Sequence, residues 1–413
     1  MKHLVGGRVI DGVANEPIEK GVVSFDGERI VYAGPEAGAR RSAEDEVIDV
    51  SGQTVLPGLI DCHVHHIYAR YRNLSEIERA PVEAATIKGI SHAAIFLQAG
   101  YTTVRDCGTR GNIAVNIRDA VDEGLIPGPR IVASGQILST TGGLADTSPE
   151  YIHNCYGLGR VVNGAEGLRK AVREQVKAGV DNIKIEGSAA EASFFTYTWM
   201  STMSVEEMTA AVGEAHRYGK TVACHAQSYD GAKNALRAGA DTIEHGTRLD
   251  EEAIALWKKA RTVLVPTLCT LYSVLELGEK FGVPPKMVSE MRINEPLWLR
   301  SLAMAREAGV TIAAGADIGN RYVQGDNAKE IVFLAERGGL TPMDAIKAGT
   351  ANAAKALRRD DQVGTLRQGL YADVVVFDGN PLASIGQLLE RPRIRMVFKG
   401  GTLVAGSALT RSN

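Results

Sequence analysis

The stretch Pro57-Gly58-Leu59-Ile60-Asp61-Cys62-His63-Val64-His65 sets the pattern that repeats along the chain: a turn, a short apolar run, then chemically active side chains at its end. A short apolar run bounded by turn residues reads as a buried strand. The first such strand is expected over residues 58–63. Seven more runs of the same kind follow, at residues 102–107, 130–134, 182–185, 221–225, 242–245, 262–266 and 311–316. Longer stretches with helical spacing separate them. One of these, residues 164–178, carries apolar side chains at Leu168, Ala171, Val172 and Val176 and turns at Gly179, the stripe of a helix lying on a core. Strand and helix in alternation predict consecutive βα units around a parallel sheet, and hence an α/β fold. Eight units between residues 59 and 317 match the roughly 250 residues typical of a closed (β/α)8 TIM barrel.

Both ends of the chain read differently. Short β segments with turn residues occupy 7–12, 22–27, 29–34 and 47–52, and the style returns at 372–379 and 395–401. The expectation is a small β-sandwich domain made discontinuously from residues 1–56 and 363–413, flanking a barrel of residues 57–362. Of the 413 residues, 45% are hydrophobic and 23% charged, which excludes disordered and collagen-like architectures. No apolar run approaches the roughly 18 residues of a membrane span, and Met1-Lys2-His3-Leu4-Val5-Gly6-Gly7 lacks the long apolar segment of a secretory signal. This leads us to expect a cytoplasmic protein with no membrane partner. Lys and Arg number 46 against 49 Asp and Glu, a net charge of −3 spread along the chain, so no basic stripe invites nucleic acid. Five widely spaced cysteines, Cys62, Cys107, Cys155, Cys224 and Cys269, with no CxxC pair, suit a reducing compartment better than a disulfide framework.

Side chains alternate along a strand, so His63 and His65 share a face and His66 takes the other. His225 closes Thr221-Val222-Ala223-Cys224-His225, His245 closes Thr242-Ile243-Glu244-His245, and Asp317 follows the run that ends at Ala316. Active sites of (β/α)8 barrels lie at the C-terminal strand ends. Four histidines and a carboxylate brought to that face by four strands predict a metal centre. Lys184, within Asn182-Ile183-Lys184-Ile185-Glu186, would be buried without an obvious anion. Capture of carbon dioxide as a carbamate would make it an anionic donor able to bridge two cations roughly 3.5–4 Å apart.

The set His63, His65, Lys184, His225, His245 and Asp317, framed by β segments from both termini, resembles the amidohydrolase superfamily. Within its binuclear branch it resembles the group of imidazolonepropionase-like and prolidase-like (Xaa-Pro dipeptidase) enzymes. The likeness spans essentially the whole chain, including Gly349-Thr350-Ala351-Asn352-Ala353-Ala354-Lys355-Ala356-Leu357. It implies that His63, His65 and Asp317 bind one divalent metal ion, most simply zinc, that His225 and His245 bind a second, and that carboxylated Lys184 bridges them. Imidazolonepropionases lack the bridging lysine, so its presence argues against that activity. The expected reaction is cleavage of an amide C–N bond by a metal-bridging hydroxide, with Asp317 taking a proton and returning it to the leaving nitrogen. Tyr229, on the loop after His225, is either an oxyanion hydrogen-bond donor or an ordinary loop tyrosine.

The loop Ser139-Thr140-Thr141-Gly142-Gly143-Leu144-Ala145-Asp146 resembles the Thr-Gly-Gly-His stretch of related dipeptidases, with Leu144 in place of the histidine. Thr141 remains a candidate substrate contact. Phe194-Phe195-Thr196-Tyr197-Thr198-Trp199-Met200 is either a packing patch or one wall of an apolar pocket. Arg110 and Arg321 are either clamps for a substrate carboxylate or solvated surface residues. The expected substrate is therefore a small molecule, an Xaa-Pro dipeptide or an N-acyl amino acid. Alternatives are apolar amides, ureas or carbamates, and a barrel that binds metal without catalysis. Family members commonly assemble, so a homo-oligomer is expected.

Overall fold

The structure, a computed structural model, describes residues 1–69, 74–146, 157–190, 193 and 196–406. Parallel strands Leu59–Val64, Tyr101–Asp106 and Arg130–Val132 form one sheet. A second parallel sheet runs in the order Gly159–Val161, Ile137–Ser139, Asn182–Glu186, Thr221–Ala226, Thr242–His245 and Val263–Val265. Backbone hydrogen bonds join the two into a ring. At one seam the Asp181 and Asn182 amides donate to the Ala133 carbonyl at 2.8 and 3.2 Å. At the other, the Ala313 amide donates to Leu264 O, Cys62 to Ala314 O and Asp317 to His63 O, at 2.9, 3.0 and 2.7 Å.

Both seams correct the expected strands. The strand expected over 130–134 stops at Val132, because the Ala133 carbonyl and amide turn to Asp181 and Asn182 and the next place in the wall passes to Ile137–Ser139. The strand expected over 311–316 is a single bridge, Ile312 to Leu264. Its amides divide between neighbours on both sides and the Ala348 carbonyl, so no continuous ladder forms. Chain passes close to this segment: a Cβ on Gly315 would stand 2.8 Å from that of His63. The helix expected over 164–178 runs Ala165–Lys177, started by Gly164 and followed by Gly179, both with positive φ.

Strands Lys2–Val9, Ile18–Asp26, Arg29–Pro35, Glu46–Asp49 and Thr54–Pro57 from the N-terminal end share one sheet with Val374–Phe377, Ile394–Lys399 and Thr402–Ala405 from the C-terminal end. The two ends meet where Thr54–Pro57 and Val374–Phe377 pair antiparallel. The sheet forks at Lys2–Val9, whose first half pairs Glu46–Asp49 and whose last residues pair Thr54 and Val55. Leu4, Val23, Phe25, Val55, Val374 and Phe398 close the fork in one apolar cluster, each worth roughly 1.5–3 kcal/mol when fully buried. Among the described residues no helix is long and apolar enough to cross a membrane. Cys62, Cys107, Cys224 and Cys269 are buried free thiols, and Cys155 lies outside the described residues.

Candidate metal centre

The strand ends converge as the parallel ring requires. His63 lies within the first strand, His65 just past its end, Lys184 at the middle of Asn182–Glu186, His225 near the end of Thr221–Ala226 and His245 at the end of Thr242–His245. All five are buried. His63 Nε2 and His65 Nε2 stand 3.9 and 3.4 Å from Asp317 Oδ1. The His63 and His245 rings are 5.3 Å apart between centroids, and those of His225 and His245 are 4.5 Å apart. His245 and Asp317 hold left-handed backbone, with φ of 72° and 47°, as does Thr267 beside them, at 53°. For residues other than glycine this conformation costs on the order of 1–3 kcal/mol each, and such strain is found where surrounding structure aims a functional group.

The ring nitrogens are committed in a way that leaves lone pairs toward the cavity. His63 Nδ1 donates to Glu244 Oε2 at 2.7 Å and His65 Nδ1 to the Gly108 carbonyl at 2.8 Å. Thr267 gives its hydroxyl proton to Pro266 O, so its oxygen accepts from His245 Nδ1 at 2.6 Å. These three rings are thereby held with Nε2 unprotonated, the form that ligates metal. His225 differs: its Nε2 faces the Ala189 carbonyl at 3.3 Å, leaving Nδ1 as the ligating atom. Burial, reinforced by the Lys184 charge, pushes the His225 pKa down to about 3 and that of His63 far below the usual range. His245 is lowered likewise by burial and by its histidine neighbours. For Asp317, burial acts upward but His63 and His65 outweigh it and hold the carboxyl below the usual range, while Thr270 Oγ1 donates to its Oδ2 at 2.9 Å.

Neutral imidazoles and an ionised carboxylate are a donor set for a divalent cation. His63, His245 and Asp317 offer ligand atoms within 4.8 Å of one another. Lys184 Nζ is buried and makes no hydrogen bond among the described residues. An ammonium in that position carries a heavy desolvation cost and repels any cation, and a carbamate removes both penalties. The six residues therefore fit a two-cation centre. His63, Cys107 and Glu244 form a second close group, but Glu244 is spent on His63 and on the guanidinium of Arg105, so this group is a hydrogen-bond relay beneath the centre.

The cavity above is lined by these six residues, by Ile137, Leu144, Leu158, Pro284, Met287 and Tyr322, and by the basic side chains of Lys286 and Arg321. Arg321 Nε donates to Ser273 Oγ at 3.0 Å. Three expected contacts are not brought there. Tyr229 begins the helix Tyr229–Ala238, 39% exposed, and Thr141 points outward, paired with Asn163. Arg110 is buried instead against the Ala80 carbonyl. Thr141 and Arg110 belong to loops and Tyr229 to the first turn of a helix that follows one, where side-chain direction depends on partners that periodicity does not reveal. Tyr197 and Trp199 stack with centroids 6.3 Å apart on the surface and do not line the cavity, while Phe194 and Phe195 lie outside the described residues.

Sequence reasoning missed Glu244, Arg105, Thr267, Thr270 and Glu186, and also Tyr68, which stacks on His65 at 4.2 Å. One signal was available. Glu244 and Glu186 sit in apolar strands, as Lys184 does, and a buried carboxylate must find donors.

The chain matches the amidohydrolase family over residues 54–404. It is 30% identical over 416 residues to ochratoxinase of Aspergillus niger, covering 95% of this chain and 85% of that protein. The crystal structure of a prolidase complexed with N-methylphosphonate-L-proline superposes with a TM-score of 0.88 at 34% identity, covering 97% of this chain and 98% of the other. That of a Xaa-Pro dipeptidase with bound methionine gives 0.87 at 33%, covering 97% and 99%. With a match that runs from the strand before the barrel through the last strands of the terminal sheet, the chain belongs to the amidohydrolase family and is a hydrolase.

Proposed function

We propose that the protein is a binuclear zinc-dependent hydrolase that cleaves the amide C–N bond of an Xaa-Pro dipeptide or an N-acyl amino acid. The observation that carries this reading is Lys184, a buried amine with no hydrogen-bond partner among the described residues, at the floor of a cavity that also holds His63, His65, His225, His245 and Asp317. His63, His65 and Asp317 would hold one cation, His225 and His245 the other, and carboxylated Lys184 both. When bound, two such ions supply Lewis acidity and a water nucleophilic at neutral pH.

The chain's own residues do the rest. Glu244, Gly108 and Thr267 fix the three imidazoles from behind, so their orientation is set before any substrate enters. Thr270 pins Asp317 Oδ2, and Oδ1 is the atom that can take a proton and pass it to the leaving nitrogen. Arg321 and Lys286 supply positive charge for the substrate carboxylate, and Ile137, Leu144 and Leu158 receive the apolar portion. Tyr229 does not enter this account. The names of the relatives, prolidase and ochratoxinase, support the substrate class.

Leu144 in the cavity wall favours one second reading, hydrolysis of neutral apolar amides, ureas or carbamates. A panel of Xaa-Pro dipeptides, N-acyl amino acids and neutral aryl amides, assayed with zinc-loaded protein, separates the two. Turnover led by the carboxylate-bearing compounds is expected. Preference for the neutral amides would transfer the proposal to the second reading, and no turnover of any of them together with no bound metal would refute both.

A further inference from the structure

Glu186 ends the strand that carries Lys184 and is fully buried, yet it points at no candidate metal ligand. Its carboxylate accepts four hydrogen bonds from a single loop. Ser139 Oγ and the Leu144 amide donate to Oε2, each at 2.6 Å, and the Thr140 amide and hydroxyl donate to Oε1 at 2.7 and 2.6 Å. Ser139 Oγ in turn accepts from the Ala145 amide at 3.1 Å. Gly143 completes the fit, because a Cβ there would run into both carboxylate oxygens. The two residues held at the end of this loop, Leu144 and Ala145, line the cavity.

A buried loop must satisfy its amides, and here those of Thr140 and Leu144 are satisfied by the strand that bears Lys184. The cavity wall and the floor are thus locked in one relative position. We propose that Glu186 is a specificity-determining positioning residue: by holding the loop 139–145 it places Leu144 as the wall that selects substrates with a bulky apolar acyl group. This rests on the reaction proposed above.

Glu186→Gln tests it, because a glutamine of nearly the same shape must turn its amide nitrogen toward one of the two donor pairs. Substrate preference is read as the ratio of kcat/KM for N-naphthoylproline to that for N-acetylproline, with hydrogen exchange at the Thr140 and Leu144 amides measured alongside. Expected are faster exchange at one or both amides, zinc content equal to wild type, and a ratio lowered by about tenfold, the scale of one unsatisfied buried donor. In a Leu144→Ala background the same substitution should lower the ratio no further, since the wall it places is gone. Unchanged exchange, an equal loss on both substrates, or full additivity with Leu144→Ala overturns the proposal. If Glu186→Gln does not fold, Gly143→Ala displaces the same carboxylate and is judged by the same readouts. If the wild type hydrolyses neither compound, the reaction has been misassigned. The ratio of their dissociation constants by calorimetry then decides the positioning role, and a wild type without preference for the naphthoyl compound refutes it.

Discussion

Glu244→Gln is the substitution whose consequences can be worked furthest from the geometry. Glu244 is fully buried between two partners: Oε2 takes the His63 Nδ1 proton at 2.7 Å, and Oε1 accepts from Arg105 Nη2 at 2.6 Å and from Thr242 Oγ1. Arg105 is itself fully buried, with Nε on the Cys62 carbonyl at 2.7 Å and Nη1 on Thr242 Oγ1 at 3.0 Å. A glutamine can keep its oxygen toward Arg105 only by presenting N–H to His63. Nδ1 must then accept, the ring proton moves to Nε2, and the ligating lone pair is lost. Loss of such an outer partner typically costs 10–100-fold in metal affinity. The same change leaves the Arg105 guanidinium without its counter-charge, a defect of about 3–5 kcal/mol for a buried pair, set against a total stability of about 5–15 kcal/mol. Two assays separate the effects: zinc retained after dialysis against graded chelator, and urea unfolding of the metal-free protein. The double variant Arg105→Met/Glu244→Leu removes both charges and should recover most of the stability while leaving zinc affinity low. Glu244→Gln with wild-type zinc affinity would refute the tautomer argument. A double variant no more stable than the single one would refute the argument from charge.

Lys184→Ala should lower zinc below the about two equivalents of a dinuclear site and abolish turnover, and a short carboxylic acid should restore part of it; normal metal content and rate would make the lysine structural. Asp317→Asn should keep much of the metal, yet its rate should fall by at least the roughly 10²–10⁴-fold expected of a general acid–base group, read by steady-state kinetics on zinc-loaded protein. In metal-free protein, burial depresses His63, His225 and His245 below the ordinary 6.5, His225 to about 3. The unfolded chain then binds protons that the folded chain refuses, so stability should be flat above about pH 6.5. It should decline as pH falls toward 3, by up to about 1.4 kcal/mol per pH unit for each histidine. Urea midpoints measured from pH 7.5 to 5 check the sign, and a midpoint that rises on acidification would contradict it.

The sequence by itself determined the barrel and the sheet built from both chain ends, and it named six candidate ligands that the structure brings to one cavity. These follow from local rules: apolar runs between turns make strands, a parallel ring brings C-terminal strand ends together, and a ligand at a strand end inherits its place from the strand. His63, Lys184, His225, His245 and Asp317 were legible for that reason. What only the tertiary structure decided is the set of partners across the ring. Arg105 lies 139 positions from Glu244, and Asp61, which accepts from the Ala316 amide at 3.0 Å and helps close the seam, lies 255 from it. No periodicity links positions so far apart. The break of the wall after Val132 and the reduction of 311–316 to one bridge share one cause. A backbone or side-chain polar group goes to whichever buried donor or acceptor would otherwise be left unsatisfied, and that competition exists only once the ring has closed.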